Sequence, residues 1–271
     1  MTYLFNHEAA VELTAFVDAA TLFAFDLDGT LAPIVADPAG ITIQNEVRHC
    51  LIRLNDLAPV AVITGRSRAD AMNHLGFTPR FLVGNHGAEG LPGWETTAED
   101  FAAICSGWKN QLEALLPDMH ALGISLEAKG QTIALHYRQA LDPIAAQDLI
   151  LAAFAALTPP PRVVSGILVE NIAPQNAAHK GIALEVLMGH LRCTRAIFVG
   201  DDVTDEDVFS LRNPAIMGIR VGNDPASAAR YYLQGQHETV RLLQKIIAVL
   251  NDSAPASGAD LKKNENQPCL I

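Results

Sequence analysis

Four short apolar runs punctuate the chain, and each breaks off into a polar or glycine-bearing turn: "LFAF" into "DLDGT", "VAVI" into "TGR", "FLVG" into "NHGAEG" and "AIFV" into "GDDVTDED". Continuous apolar runs of this length, alternating with helical patterns such as "NEVRHCLIRLNDL" and "KGIALEVLMGHL", predict strands buried on both faces of a parallel α/β sheet. Functional groups are then expected at the carboxyl ends of the strands. "IMGIRVG" and a last helix from roughly His237 to Leu250 close this unit.

Between about Glu95 and Pro174 the pattern changes. A helix-like "AEDFAAICSGWKNQLEALL" is followed by two alternating strands, "ISLEAK" and "TIALHYR", a helix opened by Asp142-Pro143, then "RVVSG" and "ILVEN". Helix, strand, strand, helix, strand, strand reads as a compact α+β insertion that caps the main sheet. The expected organisation is a core in two segments, residues 1–95 and 175–250, with a cap over 96–174. The stretch 251–271, rich in Ser, Pro, Gly and polar residues, is expected to be a disordered tail.

Composition narrows the partners. A chain of 271 residues with 49% hydrophobic and 18% charged content buries a sizeable core and fits a soluble globular protein of one or two domains. Thirty acids against nineteen Lys plus Arg give a formal charge of −11, which repels polyanions, so neither nucleic acid nor an anionic membrane is expected as a partner. A small anion can still find a locally basic pocket. The four cysteines stand apart with no CxxC pair, as expected of reduced thiols in a cytoplasm. The start, "MTYLFNHEAAVELTAF", lacks the basic region of a signal peptide, and no apolar run is long enough for a bilayer.

In an extended chain residues i and i+2 point the same way, so Asp26 and Asp28 can reach one small volume at the end of the first strand. Two close carboxylates repel unless a cation or proton lies between them. A bare DxDG fits a polar turn equally well, with Gly29 supplying an unusual backbone angle. Thr64 and Gly65, directly after the second strand, offer a hydroxyl and backbone amides to phosphate oxygens, although Thr64 also reads as a helix cap. In "FVGDDVTDEDVF", Thr204 as cap with Asp205, Glu206 and Asp207 in the first turn would suit a helix dipole; Asp201 and Asp202, placed before the helix, are left unexplained. The nine histidines form no HxH or HExxH pair, which disfavours zinc.

Apolar strand followed by "DLDGTL", then "ITGR", "NAAHKGIALEVL" and "FVGDDVTDEDVF" in that order, resembles the haloacid dehalogenase-like phosphatase superfamily. The resemblance implies a Rossmann-like core with a parallel sheet and an inserted C2-type α+β cap. It makes Asp26 the nucleophile that forms an aspartyl-phosphate, and Asp28 the acid that protonates the leaving oxygen and then activates water. Thr64 and Lys180 would hold the phosphate. Mg²⁺ would be bound by Asp26, the backbone carbonyl of Asp28 and Asp201, with Asp202 and Asp205 behind them; few carboxylates plus waters and phosphate suit that ion. Splitting phosphoryl transfer into two steps around a covalent carboxylate suits one of the slowest uncatalysed reactions known.

A closer similarity is carried by "GNHGAEG", "LEAKGQTIALHYR", "GILVENIAPQNAAHKG" and "GDDVTDEDVF", which look like trehalose-6-phosphate phosphatases in order across about Phe23 to Leu250. In "ISLEAK" the alternation leaves Glu127 and Lys129 on one polar face, and Glu170 ends the last cap strand. By resemblance Glu127, Lys129 and Glu170 contact the glucose ring distal to the phosphate, with Arg66, Asn85, His86 and Arg138 lining the pocket. Without the resemblance, that face reads as a solvated one. The resemblance implies a sugar phosphate as substrate and a functional link to a trehalose-phosphate synthase. The competing readings are a phosphatase for sucrose phosphate or mannosyl-phosphoglycerate, a phosphomutase, and a non-catalytic sugar-phosphate sensor, for which Asp28 would have no use.

Overall fold

The computed structural model describes residues 1–35 and 38–253. In chain order the elements are β1 (Thr2–Tyr3), α1 (His7–Phe16), β2 (Thr21–Phe25), α2 (Asn45–Leu57), β3 (Val60–Ile63), α3 (Arg68–Leu75), β4 (Phe81–Val83), α4 (Glu95–Leu115), β5 (Ser125–Ala128), β6 (Ile133–His136), α5 (Pro143–Ala155), β7 (Arg162–Gly166), β8 (Val169–Ala173), α6 (Lys180–Leu191), β9 (Arg195–Gly200), α7 (Glu206–Phe209), β10 (Ile216–Val221), β11 (Tyr231–Leu233) and α8 (Thr239–Ser253).

The apolar runs become strands of a seven-stranded sheet ordered β1-β11-β10-β9-β2-β3-β4, and each pairing is parallel. β2 shows why such a run need not alternate. Phe23 and Phe25 face one core with Leu13, Leu51 and Leu242 from α1, α2 and α8, while Leu22 and Ala24 face the other with Leu184, Leu187 and Phe209 from α6 and α7. Helices cover both faces, so every β2 side chain is buried, and each phenylalanine contributes about 1.5–3 kcal/mol of burial. β2 also marks the switch in strand order, with β3 following on one side and β9 returning on the other, and this opens a crevice at the carboxyl ends of β2 and β9.

The second sheet is antiparallel, ordered β5-β6-β8-β7. One of its faces packs against α4 and α5 through Trp108, Leu112, Ile150 and Phe154 over Ile133, Leu135 and Ile172. Asp142 caps α5 by accepting from the amides of Ile144 and Ala145, with Pro143 at the first helical position. This is an α/β fold with an additional antiparallel cap sheet.

Three details depart from the sequence expectation. α8 runs to Ser253, so residues 251–253, expected in the tail, form its last turn; residues 254–271 of that tail lie outside the described residues. Thr64 does not cap a helix, because Ser67 caps α3 by accepting from the Asp70 amide. Nor does Thr204: Asp202 and Asp205 form a reciprocal capping box around the turn before α7. Among the described residues no helix is long and apolar enough to cross a membrane.

Candidate active site

Asp26 follows β2 directly, and its amide donates to the Val199 carbonyl of β9 at 2.9 Å, which sets the ends of the two strands side by side. The turn of Asp28-Gly29-Thr30 folds back toward β9. Gly29 has φ +75°, and a Cβ there would come within 2.0 Å of Asp201 Oδ2, so both backbone angle and close approach require glycine. Thr30 Oγ1 donates to Asp201 Oδ1 at 3.0 Å.

α6 starts where the other half of the site needs a cation. His179 caps it, accepting from the Gly181 amide, and Lys180 is the first helical residue. The lysine is buried, with Nζ 2.7 Å from Asp205 Oδ1 and 3.1 Å from Asp26 Oδ2. Both carboxylates hold its ammonium well above the ordinary lysine value despite burial. Oxygens of Asp26, Asp201 and Asp205 lie within 4.8 Å of one another. Burial pushes Asp26 well up, opposed by Lys180 and reinforced by Asp205 and Asp201. Burial and the Asp205 charge push Asp201 up to about 7, against the Thr30 hydrogen bond. Three acids against one lysine leave negative charge uncompensated in a buried place, and carboxylate oxygens with few other donors suit a hard divalent cation.

Asp28 points elsewhere. Arg66 grips both its oxygens, Nε at 2.7 Å and Nη2 at 2.8 Å, and the same guanidinium meets Asp70 at 2.7 Å. Thr64 Oγ1 accepts from the Arg66 amide at 3.2 Å, and the Thr64 carbonyl accepts from the His86 amide at 2.9 Å. After β4, Asn85 (φ +51°), His86 (φ +57°) and Gly87 (φ +117°) form a run of left-handed residues. Asn85 Nδ2 donates to the Lys129 carbonyl at 3.0 Å, a bond from core to cap. Burial, with Lys180, Lys129 and Arg162 nearby, holds the His86 imidazole well below its ordinary value, so it is neutral; its Nδ1 and Asn85 Oδ1 are buried without a partner among the described residues.

The cap residues are only partly brought together. Glu127 and Lys129 are neighbours at 3.7 Å, and Glu127 also meets His136 Nε2 at 2.8 Å, a contact that holds its carboxyl below the usual range. Glu170 is a correction. It pairs in register with Leu135, which pairs with Leu126, whereas Glu127 pairs with Ala134 and that with Asn171. Side chains alternate across a sheet, so Glu170 lies on the helix-facing side and Asn171 on the side of Glu127. The Glu170 carboxylate is fully buried and accepts from Ser165 Oγ at 2.6 Å, Gln147 Nε2 at 2.7 Å and Tyr137 at 3.4 Å. Arg138 is exposed beyond the end of β6 opposite the turn that carries Lys129. Asp205, expected behind the metal ligands, lies in one group with Asp26 and Asp201, while Asp202 stays partly exposed.

Several residues escaped the sequence reading. Asp70 is visible only through its pairing with Arg66. Arg162, the first residue of β7, donates from Nη2 to the carbonyls of Ala177 and Ala178, both at 3.3 Å, and joins the cap to the approach of α6. Nothing in "RVVSG" distinguishes it from a surface arginine.

The fold is that of a haloacid dehalogenase-like hydrolase from Bacteroides thetaiotaomicron, which superposes with a TM-score of 0.60 at 18% identity, over 83% of this chain and 99% of that one. The chain belongs to the trehalose-phosphatase family, whose model matches residues 24–237. A Mycobacterium marinum trehalose-phosphate phosphatase is 30% identical over 239 residues, 84% of this chain and 61% of that protein. A crystal structure of a trehalose-6-phosphate phosphatase related protein matches with a TM-score of 0.70 at 19% identity, over 86% of this chain and 99% of the other. The chain thus spans about three fifths of the length of the curated phosphatases it matches.

Proposed function

We propose that the protein hydrolyses trehalose 6-phosphate to trehalose and phosphate, in the cytoplasm and supplied by a trehalose-phosphate synthase. One observation carries the chemistry: Lys180 Nζ lies between Asp26 and Asp205, with Asp201 closing the group. A Asp26 oxygen attacks phosphorus as the bond from phosphorus to the sugar oxygen breaks, and Asp28 gives that oxygen a proton. Water then attacks the aspartyl-phosphate, Asp28 takes its proton, and phosphate leaves with Asp26 regenerated. Arg66 holds both Asp28 oxygens, so one must be released for the leaving group. Lys180 balances charge at the nucleophile, and Thr64 with the nearby amides receives phosphate oxygens. Asp26, Asp201 and the Asp28 carbonyl would hold Mg²⁺, which would supply charge neutralisation on the phosphate.

On the cap, Glu127, Lys129 and His136 offer hydrogen bonds to sugar hydroxyls. A second reading, a phosphatase for another sugar phosphate, is favoured by the orientation of Glu170, which removes one of two carboxylates expected on the sugar face. The test is phosphate release with Mg²⁺ from trehalose 6-phosphate, glucose 6-phosphate, sucrose 6-phosphate and p-nitrophenyl phosphate, with EDTA and Asp26→Asn as controls. Metal-dependent preference for trehalose 6-phosphate supports the first reading. Preference for another ester supports the second, and full activity of Asp26→Asn removes the nucleophile.

A further inference from the structure

A cavity of about 570 Å³ opens at the end of the parallel sheet opposite the acidic crevice, where β9, β10 and β11 begin at Arg195, Ile216 and Tyr231. This is the size of a small-molecule pocket. Its wall is apolar where Phe16, Val208, Phe209 and Met217 meet, and its charged lining is Arg195, Arg212 and Arg230 against Glu12. A local excess of cations is unexpected in a chain of formal charge −11. Two of the arginines are engaged: Arg230 meets Glu12 at 2.6 Å, and Arg195 donates to the Ala15 and Phe16 carbonyls and lies 3.8 Å from Asp18. Arg212, held at φ +49° in the loop after α7, has no hydrogen-bond or ion-pair partner among the described residues.

The same wall is tied to the acidic crevice. Phe209 ends α7, and its ring lies so close to Gly218 that a Cβ there would come within 2.7 Å of it. Glu206 begins α7; its carboxylate accepts from the Ala228 amide at 2.9 Å and meets Arg220 at 3.3 Å, and Ala228 also lines the cavity. Asp205, the partner of Lys180, immediately precedes it. One helical turn therefore separates the cavity from the acids.

We propose that this cavity binds a small organic anion, an apolar body of about ring size bearing one carboxylate, sulfonate or phosphate group, with Arg212 meeting the charge and Phe209 the body, and that its occupancy steadies the segment Gly200–Phe209. The probe is 2-naphthalenesulfonate, followed by equilibrium dialysis on the full chain. One bound probe per chain is expected, weakened about tenfold or more, the worth of one charge-assisted contact, in Arg212→Asn. Asparagine tolerates the left-handed backbone at that position. Ala15→Trp, at an exposed helix position on the rim, should block the cavity and weaken binding likewise, whereas Asp26→Asn leaves binding unchanged. Amide hydrogen exchange over residues 200–209 should slow when the probe is bound, a readout that requires no turnover and stands whether or not the proposed reaction is correct. No binding at millimolar probe, or binding unaltered in both variants whose melting temperature matches wild type, overturns the site. Binding with unchanged exchange overturns the coupling.

Discussion

Truncation of Glu170 separates a structural carboxylate from a sugar ligand. Its oxygens accept from Ser165 at 2.6 Å, Gln147 at 2.7 Å and Tyr137 at 3.4 Å on the helix side of the cap sheet, so Glu170→Ala leaves three donors without their acceptor. Hydrogen bonds to a carboxylate are each worth about 1.5–3 kcal/mol where water is excluded. Ser165 is exposed and Gln147 half-buried, so water recovers part of this and the net loss should be about 2–4 kcal/mol. Glu170→Gln keeps the volume and should lose about half as much. Urea unfolding followed by circular dichroism reads the loss, and steady-state phosphate release at a temperature where both proteins are folded reads KM, expected to stay within about twofold of wild type. Glu127→Gln should show the opposite signature, stability within about 0.5 kcal/mol because the residue is half-exposed, and a raised KM. Unaltered stability of Glu170→Ala with a tenfold rise in KM would refute the argument, because it would put Glu170 in contact with substrate.

Other outcomes follow from the same geometry. Gly29→Ala should fold and yet lose at least about a hundredfold in kcat, since its Cβ would displace Asp201; near-normal turnover would contradict the close approach. His86 has a folded-state value below the ordinary 6.5, so its protonation favours the unfolded chain: stability is intact above 6.5 and declines as pH falls below it, by at most about 1.4 kcal/mol per pH unit. His86→Asn should flatten that decline in urea titrations between neutral and acid pH. Sugar phosphate bound between core and cap should draw the cap inward, measured as a smaller radius of gyration by solution scattering with a non-hydrolysable analogue. Identical profiles would count against closure.

The resemblance to relatives placed the acids in named roles, and the local pattern placed them at strand ends. Asn45–Leu57 and Lys180–Leu191 are legible as helices because their apolar positions recur at helical spacing over three turns or more, and Val60–Ile63 as a buried strand because it is wholly apolar. Thr2–Tyr3 and Tyr231–Leu233 are too short to carry a period, and they exist as strands only because they pair with each other and with β10. Local pattern therefore determined which segments are rigid and which acids end them. Tertiary structure decided what those acids meet. The grip of Arg66 on Asp28 spans 38 positions, and Lys180 meets Asp205 across 25. The face on which Glu170 lies depended on register, because in a pleated sheet a shift of one residue carries a side chain to the opposite side, and no local pattern in "ILVEN" distinguishes Glu170 from Asn171 until the strand is paired.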